Sequence, residues 1–234
     1  MVTDLWVMGV SGRHQRRVLR GFAPGGYGGT YRPYAWSADS RRLATSMTIV
    51  TVRDRRRVNV NVDAENPSFA PDGRHLVADF GDHGTTVELI DPRKPNKFVG
   101  LGGGDGELWR KPGVAFVGNR GIILVPHPGA SAPRRVLFSG AGVLADWSPT
   151  GSRLLAGAFT FDNATGQVSP IEPFLIDPYR GTVQRLPQAL STLYRVSRDG
   201  RTVLGQLGND VVLERADGTV KILAHNADSA TWTA

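Results

Sequence analysis

The chain has 234 residues, 40% of them apolar, with five Trp, 29 Gly, 15 Pro, no Cys and a formal charge of +7. That apolar content excludes a disordered chain, and the missing cysteines exclude disulfides and thiolate metal sites. No apolar run reaches the about 18 residues of a membrane helix, the first residues lack the basic-then-apolar order of a signal peptide, and the net charge favours anionic partners.

Taken in order, residues 5–10 and 16–19 are expected as two strands around the turn Ser11-Gly12-Arg13. A Gly-rich link over 21–30 leads to strands at 33–37, 41–47, 48–52 and 57–62, with a turn at Arg53-Asp54-Arg55. Two more strands lie within 67–80, around Pro71-Asp72-Gly73. Here Pro presets φ, Asp bonds its own backbone, and Gly takes the positive φ that closes a hairpin. Strands at 86–90 and 97–99 flank Asp91-Pro92-Arg93. A second Gly-rich link, 102–106, precedes a compact group at 107–138. The group at 144–186 carries an insertion at 160–170 between its second and third strands. The group at 193–223 contains a hairpin turn at Ala216-Asp217-Gly218, and 229–233 reads as a lone strand.

One regularity ties these groups together. Trp36, Phe69, Trp109, Trp147 and Val196 are each followed seven positions later by an apolar residue, namely Leu43, Leu76, Phe116, Leu154 and Val203. With Trp232 as a sixth anchor, successive spacings are 33, 40, 38, 49 and 36 residues. Strand-turn-strand units repeating near 40 residues are the pattern of propeller blades. The expected fold is an all-β, six-bladed β-propeller forming one domain over 1–234. Its blades fall at 33–62, 66–101, 107–138, 144–186 and 193–223, with a closing blade built from 4–20 and 229–234. Joining the two ends removes open sheet edges. Each blade is expected to have four antiparallel strands, a to d from the central channel outward. Strand b of the closing blade has no segment to form it, which leaves a truncated chain, a misplaced start or stop, or a three-stranded closing blade.

The units Trp36-Ser37-Ala38-Asp39-Ser40 and Trp147-Ser148-Pro149-Thr150-Gly151, each followed by Arg-x-Leu or Arg-Leu, carry a resemblance. They resemble the WD40-like β-propeller repeat of TolB-type proteins, and the likeness extends over essentially the whole chain. It implies a protein-interaction scaffold, often outside the cytoplasm, and a periplasmic or extracytoplasmic location for a longer gene product. No counterpart of the N-terminal α/β domain of full TolB proteins is visible. The resemblance supplies no site residue.

Candidate chemistry is sparse. Asp39, Asp72 and Asp199 could form a carboxylate ring, but each holds the same turn position, where Asp bonds the backbone for local reasons. The strand-a tryptophans are read as packing between blades and not as stacking platforms. His14, His75, His83, His127 and His225 show no metal-ligand spacing. Asp79-Phe80-Gly81-Asp82-His83 holds possible oxygen and nitrogen ligands, and ordinary loop composition explains it equally well. No Gly-x-Ser-x-Gly elbow exists. No catalytic residue, metal or cofactor is therefore assigned.

In a propeller the a–b and c–d turns emerge on one face, and the d–a links and b–c loops on the other. Arg16, Arg17, Arg42, Arg55, Arg56, Arg57, Arg134 and Arg135 fall on the first, a basic face suited to an anionic partner. Solubilising turn charge is the competing explanation. The second face gathers Tyr27, Tyr31, Asp82, His83, Asp105, Glu107, Phe161, Asp162 and Asn163 on longer loops. The expected function is a monomeric, non-enzymatic scaffold that binds a protein through one face. The alternative is a metal-dependent propeller enzyme acting on carbohydrates or lactones, which requires carboxylates, or a carboxylate and a histidine, converging at the channel mouth. Nucleic acid is disfavoured, because the basic face lacks interleaved aromatics.

Overall fold

The computed structural model describes residues 3–8, 13, 15–22, 34–45, 48–60, 64–80, 86–94, 97–129, 131, 133–162 and 164–227. None of these is helical, so among them no helix is long and apolar enough to cross a membrane. The chain divides into two compact units, Met1–Asp105 and Gly106–Ala234.

In the first unit, β1 (Thr3–Val7) and β2 (Arg16–Phe22) form a two-stranded antiparallel sheet. A four-stranded sheet follows in the order β3 (Tyr34–Trp36), β4 (Arg42–Thr45), β5 (Thr48–Thr51) and β6 (Arg57–Asn59). A second comprises β7 (Ala64–Phe69), β8 (Leu76–Phe80), β9 (Thr86–Ile90) and β10 (Phe98–Gly102). Side chains alternate across each strand, and here both faces are apolar. Leu43 and Val50 pack with Val18, Leu19 and Val52, while Ala44 and Ile49 on the other face pack with Phe69, Leu76, Ala78 and Ile90. A sheet buried on both faces is what a stacked blade needs, and it explains why the middle strands read as nearly unbroken apolar runs.

The second unit repeats the plan. One sheet holds β11 (Asp105–Arg110), β12 (Gly113–Gly118), β13 (Gly121–Val125) and β14 (Arg135–Phe138). The next holds β15 (Gly142–Trp147), β16 (Leu154–Ala158), β19 (Glu172–Ile176) and β20 (Val183–Arg185). Between β16 and β19 the insertion folds as a separate hairpin, β17 (Phe161–Asp162) and β18 (Gln167–Val168). The last sheet is β21 (Thr192–Val196), β22 (Thr202–Leu207), β23 (Asp210–Arg215) and β24 (Val220–Ala224). Ala115, Ile122 and Leu124 meet Leu144, Trp147, Leu154 and Phe174. Beyond them Ala145, Leu155 and Leu175 meet Val196, Val203 and Val212.

The spacing of seven now has a physical cause. Trp36 lies opposite Leu43, Phe69 opposite Leu76, Trp147 opposite Leu154 and Val196 opposite Val203. The interval is the register of the first hairpin in each of these sheets. The turn at Pro71-Asp72-Gly73 closes as its residues dictate. Gly73 has φ of 65° and donates its N–H to the Ala70 carbonyl at 2.8 Å, and the Arg74 N–H bonds the Asp72 carboxylate at 2.8 Å.

Three expectations need adjustment. Trp36, expected between blades, is 45% exposed, while Leu43 and Val50 on that face are buried against Val18 and Leu19 of β2. The second Gly-rich link is shorter than 102–106: β10 runs to Gly102 and β11 begins at Asp105, so strand pairing claims most of it. A count of six blades rests on 229–234 and Trp232, which lie outside the described residues.

Candidate functional site

The turn edge of the first unit is built from one short sequence device. Asp39, Asp54, Asp72 and Asp91 each accept the backbone N–H two residues on, from Arg41, Arg56, Arg74 and Arg93, at 2.8–3.0 Å. An aspartate that caps its own turn is committed to the backbone, and the arginine after it stands at the tip. The Ser37 hydroxyl holds Asp39 below its ordinary pKa, helped by the Arg41 N–H. Asp91 is lowered further, to about 2, by the Arg93 guanidinium and then by the Arg93 N–H. Arg41, Arg55, Arg56, Arg57, Arg74 and Arg93 are all exposed. The Val52 N–H bonds the Arg41 carbonyl at 2.8 Å, which ties the c–d turn to the a–b turn of the same sheet.

The basic residues expected on this edge divide into two kinds. Arg55, Arg56 and Arg57 point into solvent, and Arg16 reaches the Arg53 carbonyl at 3.3 Å, bringing β2 beside that turn. Arg17 pairs with Asp4 at 2.8 Å and lies over the Trp6 ring at 5.9 Å. Arg42 is half-buried, over the Phe69 ring at 5.6 Å, and its guanidinium donates to the Gly73 carbonyl. Arg17 thus braces the two strands of one sheet, and Arg42 bridges two sheets. Arg134 and Arg135 are exposed in the second unit, where Arg135 donates to the Tyr179 carbonyl at 3.4 Å.

Of the loop-face residues, Tyr27, Tyr31, Asp82, His83 and Asn163 lie outside the described residues. Phe161 is exposed on the β17–β18 hairpin, opposite Val168. Asp162 turns back into its own loop, accepting the Thr165 hydroxyl at 2.7 Å and the Ala164 N–H at 2.8 Å; those bonds lower its pKa. Glu107 is buried. Asp105 is raised by burial and by the charge of Asp79, itself fully buried and bonded to the Asn66 amide at 3.0 Å. Asp79 was weighed only with Asp82 and His83 as a possible ligand loop; its buried bond to Asn66 was missed, since an Asn thirteen residues earlier carries no recognisable spacing. Among the described residues no group of three or more His, Cys, Asp or Glu is placed to hold a metal.

No family profile matches the sequence, and no curated protein does. Solved structures do. TolB from Acinetobacter baumannii superposes with a TM-score of 0.52 at 17% identity over 95% of this chain, which spans about half (49%) of that protein. The β-propeller domain of Cps50 (Swd1) from Myceliophteria thermophila gives a TM-score of 0.54 at 14% identity, covering 81% of this chain and 66% of that one. A puromycin-hydrolysing peptidase of Mycobacterium tuberculosis gives 0.60 at 15% identity, covering 85% and 38%. Identities this low speak for the fold alone. Repeating four-stranded antiparallel sheets, paired by a seven-residue register and matched along nearly the whole chain by TolB, make this a TolB-like β-propeller fold.

Proposed function

We propose that the chain is a non-enzymatic propeller scaffold that docks an acidic protein partner through the turn edge of its first unit. The row of Asp-x-Arg turns supports this most directly. Each aspartate is held by a backbone bond, while Arg41, Arg56 and Arg74 remain exposed at the tips. Within 53–57 four arginines surround the single Asp54. Charge of one sign on adjoining turns speeds encounter with an acidic partner and is screened by salt. The likeness to a TolB and to the Swd1 propeller domain is consistent with a scaffold role.

The test is fluorescence anisotropy with a labelled poly-glutamate peptide, with a single-stranded oligonucleotide as a second arm. Saturable peptide binding that weakens with salt, and is lost on changing Arg53, Arg55, Arg56 and Arg57 together to Glu, is expected. Peptide binding unaffected by those changes overturns the proposal, and so does tighter binding of the oligonucleotide.

A second reading, a propeller enzyme, is favoured by one observation. Burial, and then the charge of the buried Asp79, raises the pKa of Asp105. A carboxyl group raised by burial and a neighbouring carboxylate is a common acid–base device. Lactone hydrolysis dependent on a divalent metal, abolished in Asp105→Asn, would favour it; no turnover across a lactone panel with calcium, magnesium and manganese removes it.

A further inference from the structure

The sheet β21–β24 has two unlike faces. Val203 and Val212 pack against Ala145, Leu155 and Leu175 of the neighbouring sheet. The opposite face is polar toward the turn end, where Thr202 lies across from Arg215, and mixed beyond it, where Leu213 lies between Leu204 and Lys221. Thr202, Leu213, Arg215 and Lys221, with Arg198 and Asp199 of the preceding turn, line an open cleft of about 530 Å³.

The charge in this cleft is unbalanced. Arg198, Arg215 and Lys221 are exposed, and among the described residues none of the three forms an ion pair. The acid in the lining, Asp199, accepts the Ser197 hydroxyl at 2.5 Å and the Arg201 N–H at 3.0 Å, so its carboxylate is committed to the turn. Guanidinium groups suit oxyanions because their fork matches two oxygens at once, and a lysine adds a mobile point charge. The volume is within the range of about 300–1,000 Å³ that small organic ligands occupy and exceeds the need of a bare oxyanion. Leu213 and the aliphatic stems of the cations offer an apolar wall for the remainder of the molecule.

We propose that this cleft binds a small phosphate monoester, its phosphoryl group held by Arg198, Arg215 and Lys221 and its organic part against Leu213. The site belongs to the second unit alone and is independent of the docking edge of the first.

Backbone amide shifts of the full chain, followed by NMR during titration, test this with glycerol 3-phosphate, inorganic phosphate, sulfate and glycerol as separate arms. Saturable shifts confined to 197–202 and 213–221 with glycerol 3-phosphate, and none with glycerol, are expected. Arg215→Ala and Lys221→Ala should each weaken binding about tenfold, the effect of losing one charged contact, while Arg120→Ala, at an exposed turn of the same unit, leaves it unchanged. All three exchange an exposed side chain, and an unchanged melting temperature verifies their folding. Shifts scattered over exposed arginines, or undiminished binding in Arg215→Ala, overturn the site. Inorganic phosphate or sulfate binding as tightly as the ester overturns the ligand class.

Discussion

Trp36 and Trp147 hold the same position in the repeat, each opposite a leucine seven residues on, yet they have different surroundings. Trp147 is 2% exposed and donates its indole N–H to the Leu108 carbonyl at 3.2 Å, whereas Trp36 is 45% exposed. The local motif is the same, and the neighbour differs. Trp147 packs with the four-stranded β11–β14 sheet, while Leu43, the partner of Trp36, packs against the β1–β2 sheet, which has two strands among the described residues. A repeat sequence thus writes a hairpin, and burial follows from how much sheet lies across from it.

The contrast can be broken most forcefully at Trp147. Trp147→Ala should destabilise by about 3–5 kcal/mol, the usual cost of deleting a large core aromatic, measured from the denaturant midpoint. A loss no greater than that of Trp36→Ala would dissolve the distinction. Next comes Gly113, which sharpens it by asking whether the same packed unit tolerates backbone change. At φ of 140° an added Cβ would sit 2.3 Å from the Val125 carbonyl oxygen, so Gly113→Ala should cost at least about 2 kcal/mol. Trp36→Ala should cost clearly less than Trp147→Ala, about 1–2 kcal/mol, since 45% of its surface already lies in water. A larger loss would mean that a further element covers this indole. Gly73→Ala, at φ of 65°, where an added Cβ would meet the Arg42 guanidinium at 3.2 Å and the Ser37 Cβ at 3.7 Å, should cost about 1 kcal/mol.

Glu214 probes the packed side by pH. It is fully buried; burial raises its pKa above the ordinary 4.5, with the Gln188 N–H at 2.9 Å opposing. In that window the folded state holds the proton more tightly than the unfolded state, so stability is intact below 4.5 and falls as pH rises through the raised value. Glu214→Gln should therefore gain stability over wild type at about pH 8 and lose that advantage at about pH 4, by thermal melts at each pH. An unchanged pH profile would place the titration elsewhere.

Exposed turns should give smaller effects. Asp199→Ala removes the bonds to Ser197 and Arg201 and should cost about 0.5–1 kcal/mol. Because those bonds lower the pKa of Asp199, its contribution is present above the ordinary 3.8 and disappears as pH falls through the lowered value, so variant and wild type should converge in acid.

Much of this was legible before any coordinates. Pro71-Asp72-Gly73 and Ala216-Asp217-Gly218 announce their turns through φ restriction and an Asx bond, and both form as written. The insertion at 160–170 is visible as a surplus in the repeat spacing, and it folds as its own hairpin. Arginines following aspartates were placed on the turn edge by the same logic. Arg17 and Arg42 were not separable from them, because a guanidinium over Trp6 or Phe69 depends on residues 11 and 27 positions away along the chain. The cleft at Arg215 and Lys221 was equally hidden: its residues come from two turns and three strands that only pairing brings together.

Short-range chemistry is what the sequence by itself determined: strand, turn, register and the repeating four-strand unit, since each depends on residues within a hairpin's reach. The tertiary structure alone decided which of several equivalent tryptophans is buried, which arginines remain in solvent, and which acids, such as Asp79 and Glu214, lie out of water. Those outcomes depend on what another sheet places across the gap, and burial and electrostatics act through space without regard to chain separation.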